Sequence, residues 1–309
     1  MKVLGIESTA HTFALGIIDE NYNILEDKRA IYKPKEGIVP LEAAKFHSKN
    51  ANKLLKQISL EEIDLIAIAT GPGLAPCLKV GVEFSKKLAK KAGKPLVAVN
   101  HCQAHIEIGK ILCNTKNPVI LYVSGGNTQV IYYNHGYKVL GETQDIGLGN
   151  AFDKLGRAIG LKFPCGPKIE KLAKKGKFTL LPYSVKGMDL NFSGILSEAL
   201  RKIERGEKVE DVLFSFQEVC FSMLAEVCER AIAATGKEEL LLVGGVAQNK
   251  RLREILETMC RERGAKFFAV PEKYAGDNGV MIAMAGLKNW KEGKKYNIEI
   301  KPNWRIDTL

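Results

Sequence analysis

Hydrophobic segments near the start of the chain alternate with polar turns in a pattern typical of a β-meander. The segments are KVLGIES (2–8), TFALGIID (12–19) and NILEDKRAIY (23–32). Apolar residues at helical spacing then predict a helix over 40–57. The run IDLIAIAT (63–70) is apolar almost throughout, as in a strand that is buried on both faces. The next predicted elements are a lysine-rich helix to about Ala92, a strand at KPLVAV (94–99) and a helix over about 101–112.

The same pattern restarts at Pro118. IESTAHTFALGII begins at Ile6, and YVSGGNTQVIYY begins 116 positions later, and each reads as strand, small polar turn, strand. This repetition predicts an internal duplication at the scale of a domain. The remaining predicted elements are mostly helix over 193–235, a strand at EELLLVGG, a helix over 249–263, a strand at AKFFAV and a final helix over 276–290.

These elements predict an α/β protein of two tightly packed lobes with a cleft between them. The first lobe is expected to span 1–115 and the second 116–309, with a helical insertion around 150–235. The length of 309 residues suits about two domains.

Composition excludes several protein classes. The chain is 46% hydrophobic and 26% charged, which excludes wholesale disorder and fibrous structure. No apolar run approaches the ~18 residues of a membrane span, and the first residues do not resemble a secretory signal. The seven cysteines are scattered and never form CxxC, which favours a reduced, cytoplasmic compartment over a disulfide framework.

The net charge of +11 is concentrated in two segments. Residues 151–186 hold nine Lys or Arg against Asp153 and Glu170, and residues 79–94 hold six Lys against Glu83. Such clustering favours a phosphate-facing surface, with nucleic acid as the first candidate partner. For the 79–94 lysines, an ordinary solvated helix face is an equally good interpretation.

Three glycine-rich or small-residue turns have the composition of anion-binding loops. Two of them, Glu7–Ala10 and Ser124–Asn127, lie between paired strands, where backbone N–H groups can approach a phosphate. The third, VGGVAQN (243–249), follows a strand and opens a helix, as suits a base or ribose. Each turn alone could be merely structural, and neither GxGxxG nor a GxxxxGK[ST] loop is present.

A pair of histidines forms a candidate metal site. His101 and His105 stand at i and i+4 on a predicted helix, so both imidazoles share one face. Cys102 occupies the position of the glutamate in HExxH, so peptide hydrolysis by that mechanism lacks its base. Asp277 is a candidate further ligand but could equally be a helix N-cap, and Tyr122 is either a ligand or a core residue.

Eight ordered motifs resemble one family, the universal tRNA threonylcarbamoyladenosine transferases. They are ATGPGLAPCLKVG, NHCQAHIEIG, YVSGGNTQV, GNAFDKLGR, FPCGPKIE, DLNFSG, LLVGGVAQN and AGDNGVMIA. Asn127 and NHCQAHIE look more like the archaeal and eukaryotic branch, the catalytic subunit of the KEOPS complex. The resemblance covers about residues 1–290 and implies the duplicated actin-like and sugar-kinase (ASKHA) fold.

The resemblance also implies a reaction. A threonylcarbamoyl group would pass from threonylcarbamoyl-AMP to N6 of the adenosine 3′ of the tRNA anticodon. The implied partners are tRNA and KEOPS subunits that include a small protein kinase, with no membrane, and ATP is a further candidate ligand. Alternatives on the same fold are a small-molecule kinase or an ATPase. A metalloprotease is disfavoured by Cys102.

The resemblance implies roles for particular residues. A divalent metal, iron or zinc, would be held by His101, His105, Tyr122 and Asp277. Other expected contacts are grouped by ligand. Substrate contacts are Tyr122, Val123, Ser124, Gly125, Gly126, Asp153, Gly166, Glu170 and Asn249; phosphate contacts are Ser8, Thr9 and Asn127; and tRNA contacts are Lys171, Lys174, Lys175 and Lys177. The sequence identifies no general base.

Overall fold

The computed structural model describes residues 1–34 and 37–309. It divides into two compact units, Met1–Leu112 with Gly276–Leu309, and Cys113–Ala275. Within the described residues, every helix is too short or too polar to cross a bilayer.

The first unit contains a five-stranded sheet and its covering helices. Its elements up to residue 113 are β1 (Lys2–Glu7), β2 (Thr12–Asp19), β3 (Ile24–Ile31), α1 (Pro40–Leu55), β4 (Ile63–Gly71), α2 (Ala75–Ala92), β5 (Leu96–Asn100) and α3 (His101–Cys113). The strand order is β3-β2-β1-β4-β5. The strands β1, β2 and β3 pair antiparallel, and β4 and β5 add parallel to β1. The predicted meander and the buried strand over 63–70 are confirmed.

The second unit repeats this topology. Its elements are β6 (Val119–Val123), β7 (Thr128–Tyr133), β8 (Tyr137–Glu142), α4 (Leu148–Ala158), α5 (Gly166–Ala173), β9 (Val185–Lys186), β10 (Asp189–Leu190), α6 (Ser193–Glu204), α7 (Val209–Thr235), β11 (Glu239–Val243), α8 (Lys250–Arg263), β12 (Lys266–Ala269) and the one-turn α9 (Glu272–Ala275). The order β8-β7-β6-β11-β12 has the same three antiparallel and two added parallel strands. The predicted duplication is therefore present in the strand order.

The helices α4 to α7 fall within the predicted insertion. Each of them buries apolar residues of its sequence. The long helix α7 supplies much of the core of this unit, with Phe216, Phe221 and Met223 fully buried. All seven cysteines lie in the described residues, and none of them is joined to another in a disulfide there.

The last helix, α10 (Gly279–Lys291), packs on β1, β2, β4 and β5 and so belongs to the first unit. The expected division had placed 276–309 in the second lobe. The difference follows from packing: α10 is buried along almost its whole length, and the apolar faces that cover it are those of the first sheet. The helix also begins three residues later than predicted, because the side chain of Asn278 accepts the N–H of Met281 and caps it.

Candidate metal centre and substrate-binding residues

The junction of β5 and α3 places both predicted histidines in a buried position. The Oδ1 atom of Asn100 accepts the backbone N–H groups of Cys102 and Gln103 at 2.9 and 3.1 Å, which satisfies two free donors of the helix start. His101 therefore begins α3, and His105 lies one turn later. Their ring centroids are 4.8 Å apart, and both side chains are almost inaccessible to solvent.

Asp277 lies beside both imidazoles. Its Oδ1 atom is 3.3 Å from His105 Nε2 and 3.6 Å from His101 Nε2. The ordinary alternative, an N-cap, does not hold, because the cap of α10 is the neighbouring Asn278. The structure thus brings together three of the four predicted metal ligands, with donor atoms within 4.8 Å of one another.

Three glycines allow α10 to begin close enough to the sheet for this contact. A Cβ on Gly5 would lie 2.1 Å from the carbonyl oxygen of Gly279, and one on Gly16 would lie 2.3 Å from the amide nitrogen of Val280. Any side chain there would push the helix away. Since Gly5 and Gly16 are also cross-strand partners, the two positions form one flat patch on the sheet. The start of α10 rests on that patch.

Glu7 is a buried acid that the sequence analysis did not assign to the metal site. Its Oε2 atom is 2.9 Å from His101 Nδ1, and its Oε1 atom accepts the N–H of Thr9 at 2.6 Å. A carboxylate can only accept, so Nδ1 carries a proton, and Nε2 is the ring nitrogen that faces Asp277. In the sequence, Glu7 is an acid that directly follows the apolar run 3–6, and in the structure it is fully buried. Only the fold shows that His101, 94 positions away, is its partner.

The pKa values of the candidate metal ligands are set by burial and by the charges and hydrogen bonds of their neighbours. Burial alone would lower the pKa of His101, but the charge and hydrogen bond of Glu7, with Asp277, raise it to about 9. Burial lowers the pKa of His105. Burial opposes ionisation of Asp277, yet the hydrogen bond from His105 and the charges of His101 and His11 hold its pKa well below the ordinary range. His11, also missed from sequence, places Nδ1 3.7 Å from Asp277 Oδ2.

This donor set fits a divalent transition metal. Four-coordinate zinc binds imidazole nitrogen and carboxylate oxygen at about 2.0–2.2 Å, which puts tetrahedral ligands roughly 3.3–3.6 Å apart. The two distances from Asp277 Oδ1 to the histidine Nε2 atoms match that spacing. Two imidazoles and one carboxylate also suit iron.

Ser8 and Thr9, predicted to contact phosphate, have other partners in the structure. The Ser8 hydroxyl donates its one proton to the carbonyl oxygen of Cys77 at 2.9 Å. In its contact with Nδ1 of His47, also at 2.9 Å, the hydroxyl therefore accepts. Thr9 donates its N–H to Glu7, and its hydroxyl is 3.3 Å from His101 Nδ1. Both side chains are buried. This turn therefore packs against His101, one of the candidate metal ligands.

The matching turn of the second unit, Ser124–Asn127, is open. It rests on the start of α4, where Gly149 and Asn150 donate their N–H groups to the carbonyl oxygens of Ser124 and Gly125. Within the described residues, the amides of Gly125 and Gly126 donate no hydrogen bond, while Ser124 and Asn127 close the turn on each other. A Cβ on Gly126 would meet nothing within 4 Å. Two exposed amides are thus available to an anion.

The other predicted substrate residues of the second unit lie around α4, α5 and the start of α8. Asp153 on α4 accepts the N–H of Cys165, next to Gly166. Glu170 on α5 accepts the N–H of Lys250 at 3.0 Å. Asn249 caps α8 through Leu252 and donates to Gln217, so its amide is already engaged. The structure brings these residues into neighbouring positions within one unit.

Tyr122 and Val123 are fully buried at the end of β6. The chain passes Gly244 closely there: a Cβ on Gly244 would lie 2.3 Å from the carbonyl oxygen of Val123 and 3.2 Å from the ring of Tyr122. Tyr122 belongs to the second unit, and its role as a ligand stays a prediction.

The predicted tRNA-contacting lysines are all exposed. Lys171 lies on α5, and Lys174, Lys175 and Lys177 follow it. None of the four forms an ion pair within the part of the chain that the structure describes. The lysines of α2 are exposed too, on the face opposite its buried residues Leu78, Val82 and Leu88.

Comparison with known proteins identifies the family of this chain. Residues 22–284 match the family TsaD, described as tRNA N6-adenosine threonylcarbamoyltransferase. A protein of that name from Thermococcus sibiricus is 51% identical over all of this chain and 99% of its own length. A probable bifunctional tRNA threonylcarbamoyladenosine biosynthesis protein from Thermoplasma volcanium is also 51% identical, and this chain covers 61% of it.

Solved structures with low sequence identity share the fold. HypF of T. kodakarensis superposes with a TM-score of 0.65 at 16% identity, over 94% of this chain and 48% of that one. A ROK-family glucokinase from Streptomyces griseus gives 0.53 at 13% identity, over 93% and 100%. These neighbours confirm the predicted actin-like and sugar-kinase fold. With the family match over most of its length, the chain belongs to the tRNA N6-adenosine threonylcarbamoyltransferases.

Proposed function

We propose that this transferase uses a divalent metal ion to move a threonylcarbamoyl group from threonylcarbamoyl-AMP to N6 of the adenosine 3′ of the tRNA anticodon. Family membership provides the transferase activity and the tRNA substrate. The observation that carries the finer proposal is the buried set of His101, His105 and Asp277, whose donor spacing suits a metal. Glu7 orients the ring of His101.

The metal, iron or zinc, would be held by the two Nε2 atoms and Asp277, with Tyr122 as a proposed further ligand. Such an ion supplies Lewis-acid stabilisation of charge that develops on the transferred group or the leaving phosphate. The task of the chain is to hold the ligands ready. Glu7 fixes the proton of His101 on Nδ1, and the glycine patch fixes the distance of Asp277.

The adenylate would be held by residues of the second unit. The free amides of Gly125 and Gly126 suit its phosphate or carbamoyl oxygens. Asp153 and Glu170 suit the ribose hydroxyls, since carboxylates accept from a diol. Gly166, Ser124, Asn127 and Asn249 complete the proposed set, and ATP could occupy the same residues. The leaving group is AMP.

Two kinds of partner are proposed for the exposed surfaces. The unpaired lysines 171, 174, 175 and 177 suit the phosphates of tRNA. The greater length of the bifunctional relatives, of which this chain covers 61%, supports association with a second protein. We propose KEOPS subunits that include a small protein kinase.

The decisive experiment compares the double variant His101→Ala with His105→Ala against wild type. Metal content of the purified protein, AMP release and adenosine modification in tRNA should all fall to background, because two of three donors are lost. His135→Asn, in an exposed hairpin, is the matched control. Metal content equal to wild type would refute the site, and full transfer by a metal-free variant would refute metal dependence.

A further inference from the structure

Residues 176–183 of the second unit form a segment outside any helix or strand that lies along α7. The N–H of Lys177 donates to Asp211 at 2.8 Å, and the N–H of Thr179 donates to Ser215 at 2.7 Å, one helical turn further. The phenol of Tyr183 donates to Glu226, lower on the same helix. The segment is therefore held in place at three points.

Burial alternates from residue to residue only over positions 178–181. Leu181 is buried, at 4% exposure, and Thr179 is half-buried. Phe178 and Leu180, which precede Thr179 and Leu181 in the sequence, are 58% and 80% exposed. Tyr183 is 51% exposed, and its ring is held by the contact with Glu226. The result is an ordered surface with two exposed aromatic rings.

The charges around these rings are predominantly positive and available. Lys174, Lys175 and Lys177 precede Phe178, and Lys186 follows Tyr183, all of them exposed. The acids that face the segment are already engaged: Asp211 with Lys208 and the Lys177 amide, Glu207 with Lys202, and Glu226 with Arg230. Free cations beside exposed aromatic rings are the two components of a surface for unpaired nucleotides.

We propose that Phe178, next to the exposed Leu180, stacks against an unpaired base of the RNA substrate while the adjoining lysines contact its backbone. This inference rests on the proposed tRNA function and adds to it the chemical form of the RNA that the surface takes, which is single-stranded. A protein partner would find apolar area here too, but three neighbouring unpaired lysines favour a polyanion.

The test separates stacking from mere apolar contact. Phe178→Leu keeps apolar bulk but removes the aromatic face, whereas Phe178→Tyr keeps the face. Binding of the full chain to the unmodified tRNA and to a twelve-nucleotide oligouridylate would be measured at several salt concentrations. Phe178→Leu should weaken both by about fivefold or more, and Phe178→Tyr should bind as wild type does. Tyr133→Leu, on an exposed β7 ring elsewhere in the unit, is the matched control.

Two further measurements identify the contact. The slope of affinity against salt should be unchanged in Phe178→Leu, because stacking releases no counterions. Binding to a blunt RNA duplex should not differ between the variants, since its bases are not available. In Phe178→Trp, oligouridylate should quench the added fluorescence relative to wild type.

Equal tRNA affinity of wild type and Phe178→Leu would overturn the inference and leave the proposed function intact. Retained RNA affinity in Phe178→Leu with a lost interaction with a protein subunit would identify the surface as a protein-docking site and also overturn it. Failure of the proposed function would appear differently, as a wild-type chain that binds neither RNA probe.

Discussion

At the scale of single residues, the candidate metal site depends on hydrogen bonds between buried side chains. In each bond, the group that carries a proton must be the donor. Glu7 and Asp277 can only accept, so His101 donates its Nδ1–H to Glu7 and His105 donates its Nε2–H to Asp277. The same reasoning applies to Ser8, whose one proton is used on Cys77, which makes His47 the donor on Nδ1. The second nitrogen of His47 is buried without a hydrogen-bond partner among the described residues.

Glu7→Gln tests the orienting contact. The amide keeps the size of the side chain but removes the charge that fixes the His101 proton. Affinity for zinc, measured by competition with a chromogenic chelator, should fall about 10- to 100-fold. Glu20→Gln, an exposed acid of the same unit, should bind metal as wild type does. Unchanged affinity in Glu7→Gln would remove Glu7 from the site.

His47 predicts a pH dependence of stability. Burial lowers its pKa to about 4; the charges of Glu7 and Asp277 oppose this shift, and repulsion by the charged form of His11 adds to it. The unfolded chain takes up the proton near pH 6.5, and the folded chain only near pH 4. Between these values the unfolded state binds more protons, so stability falls as pH falls, by up to about 3 kcal/mol.

Urea unfolding between pH 4 and 7 would measure this effect. His47→Asn, whose amide can still donate to Ser8, should lose that part of the pH dependence, while the exposed control His135→Asn should retain it. The same slope in His47→Asn and wild type would show that other groups cause the loss.

Site residues that are close together in the sequence could be predicted, and partners that are distant in the sequence could not. The i, i+4 spacing of His101 and His105 is a local signal, and the structure places both rings together. Glu7 and His11 could not be predicted, because their partners are 94 and 266 positions away and only the packed sheet brings them near. Ser8 and Thr9 were expected to bind phosphate because their turn resembles Ser124–Asn127, but burial against His47 and His101 gives them other partners.

At the scale of elements, the site is set by how closely α10 can approach the first sheet. The cross-strand pair of Gly5 and Gly16 allows backbone-to-backbone contact with Gly279 and Val280. That contact determines where Asp277 lies, two residues before the helix begins. The strand order was predictable from the repeated hydrophobic pattern, but this contact was not, because glycines within a strand give no sign of what lies across from them.

Gly16→Ala should therefore affect both stability and the metal site. The new Cβ would lie 2.3 Å from the Val280 amide nitrogen, so the helix must move. The expected loss is about 1–3 kcal/mol in the free energy of unfolding, with weaker metal binding because Asp277 shifts. Chemical denaturation and metal titration measure the two effects. Gly194→Ala, where a Cβ meets nothing within 4 Å, should show neither.

Gly126→Val tests the open turn of the second unit. A Cβ there meets nothing within 4 Å, so stability should be unchanged, but the branched side chain would occupy the space beside two free amides. Binding of AMP, measured by calorimetry, should weaken by more than tenfold. Gly194→Val serves as the control. Wild-type affinity in Gly126→Val would exclude the turn from the nucleotide site.

At the scale of the whole molecule, the net charge can be counted from the sequence, and the duplication could be predicted from its repeated hydrophobic pattern. The two sheets share one strand order because the two halves share one hydrophobic pattern. The place of 276–309 was not predictable, since sequence order suggests the second half and only the packing of α10 on the first sheet decides otherwise.

Two sets of four lysines distinguish local contact with tRNA from the effect of overall charge. Lys171, Lys174, Lys175 and Lys177 changed together to Gln lower the net charge from +11 to +7, and Lys86, Lys87, Lys90 and Lys91 on α2 changed together do the same. If the first set contacts tRNA, only its loss should flatten the dependence of affinity on salt strongly. Each lost phosphate contact should lower the slope by about 0.9 or less. AMP affinity should be unchanged in both variants.

An equal decrease of the salt slope in both variants would mean that tRNA affinity responds to net charge alone. An unchanged salt slope in the first variant would remove these lysines from the tRNA surface. Neither outcome would bear on the candidate metal site, which consists of other residues.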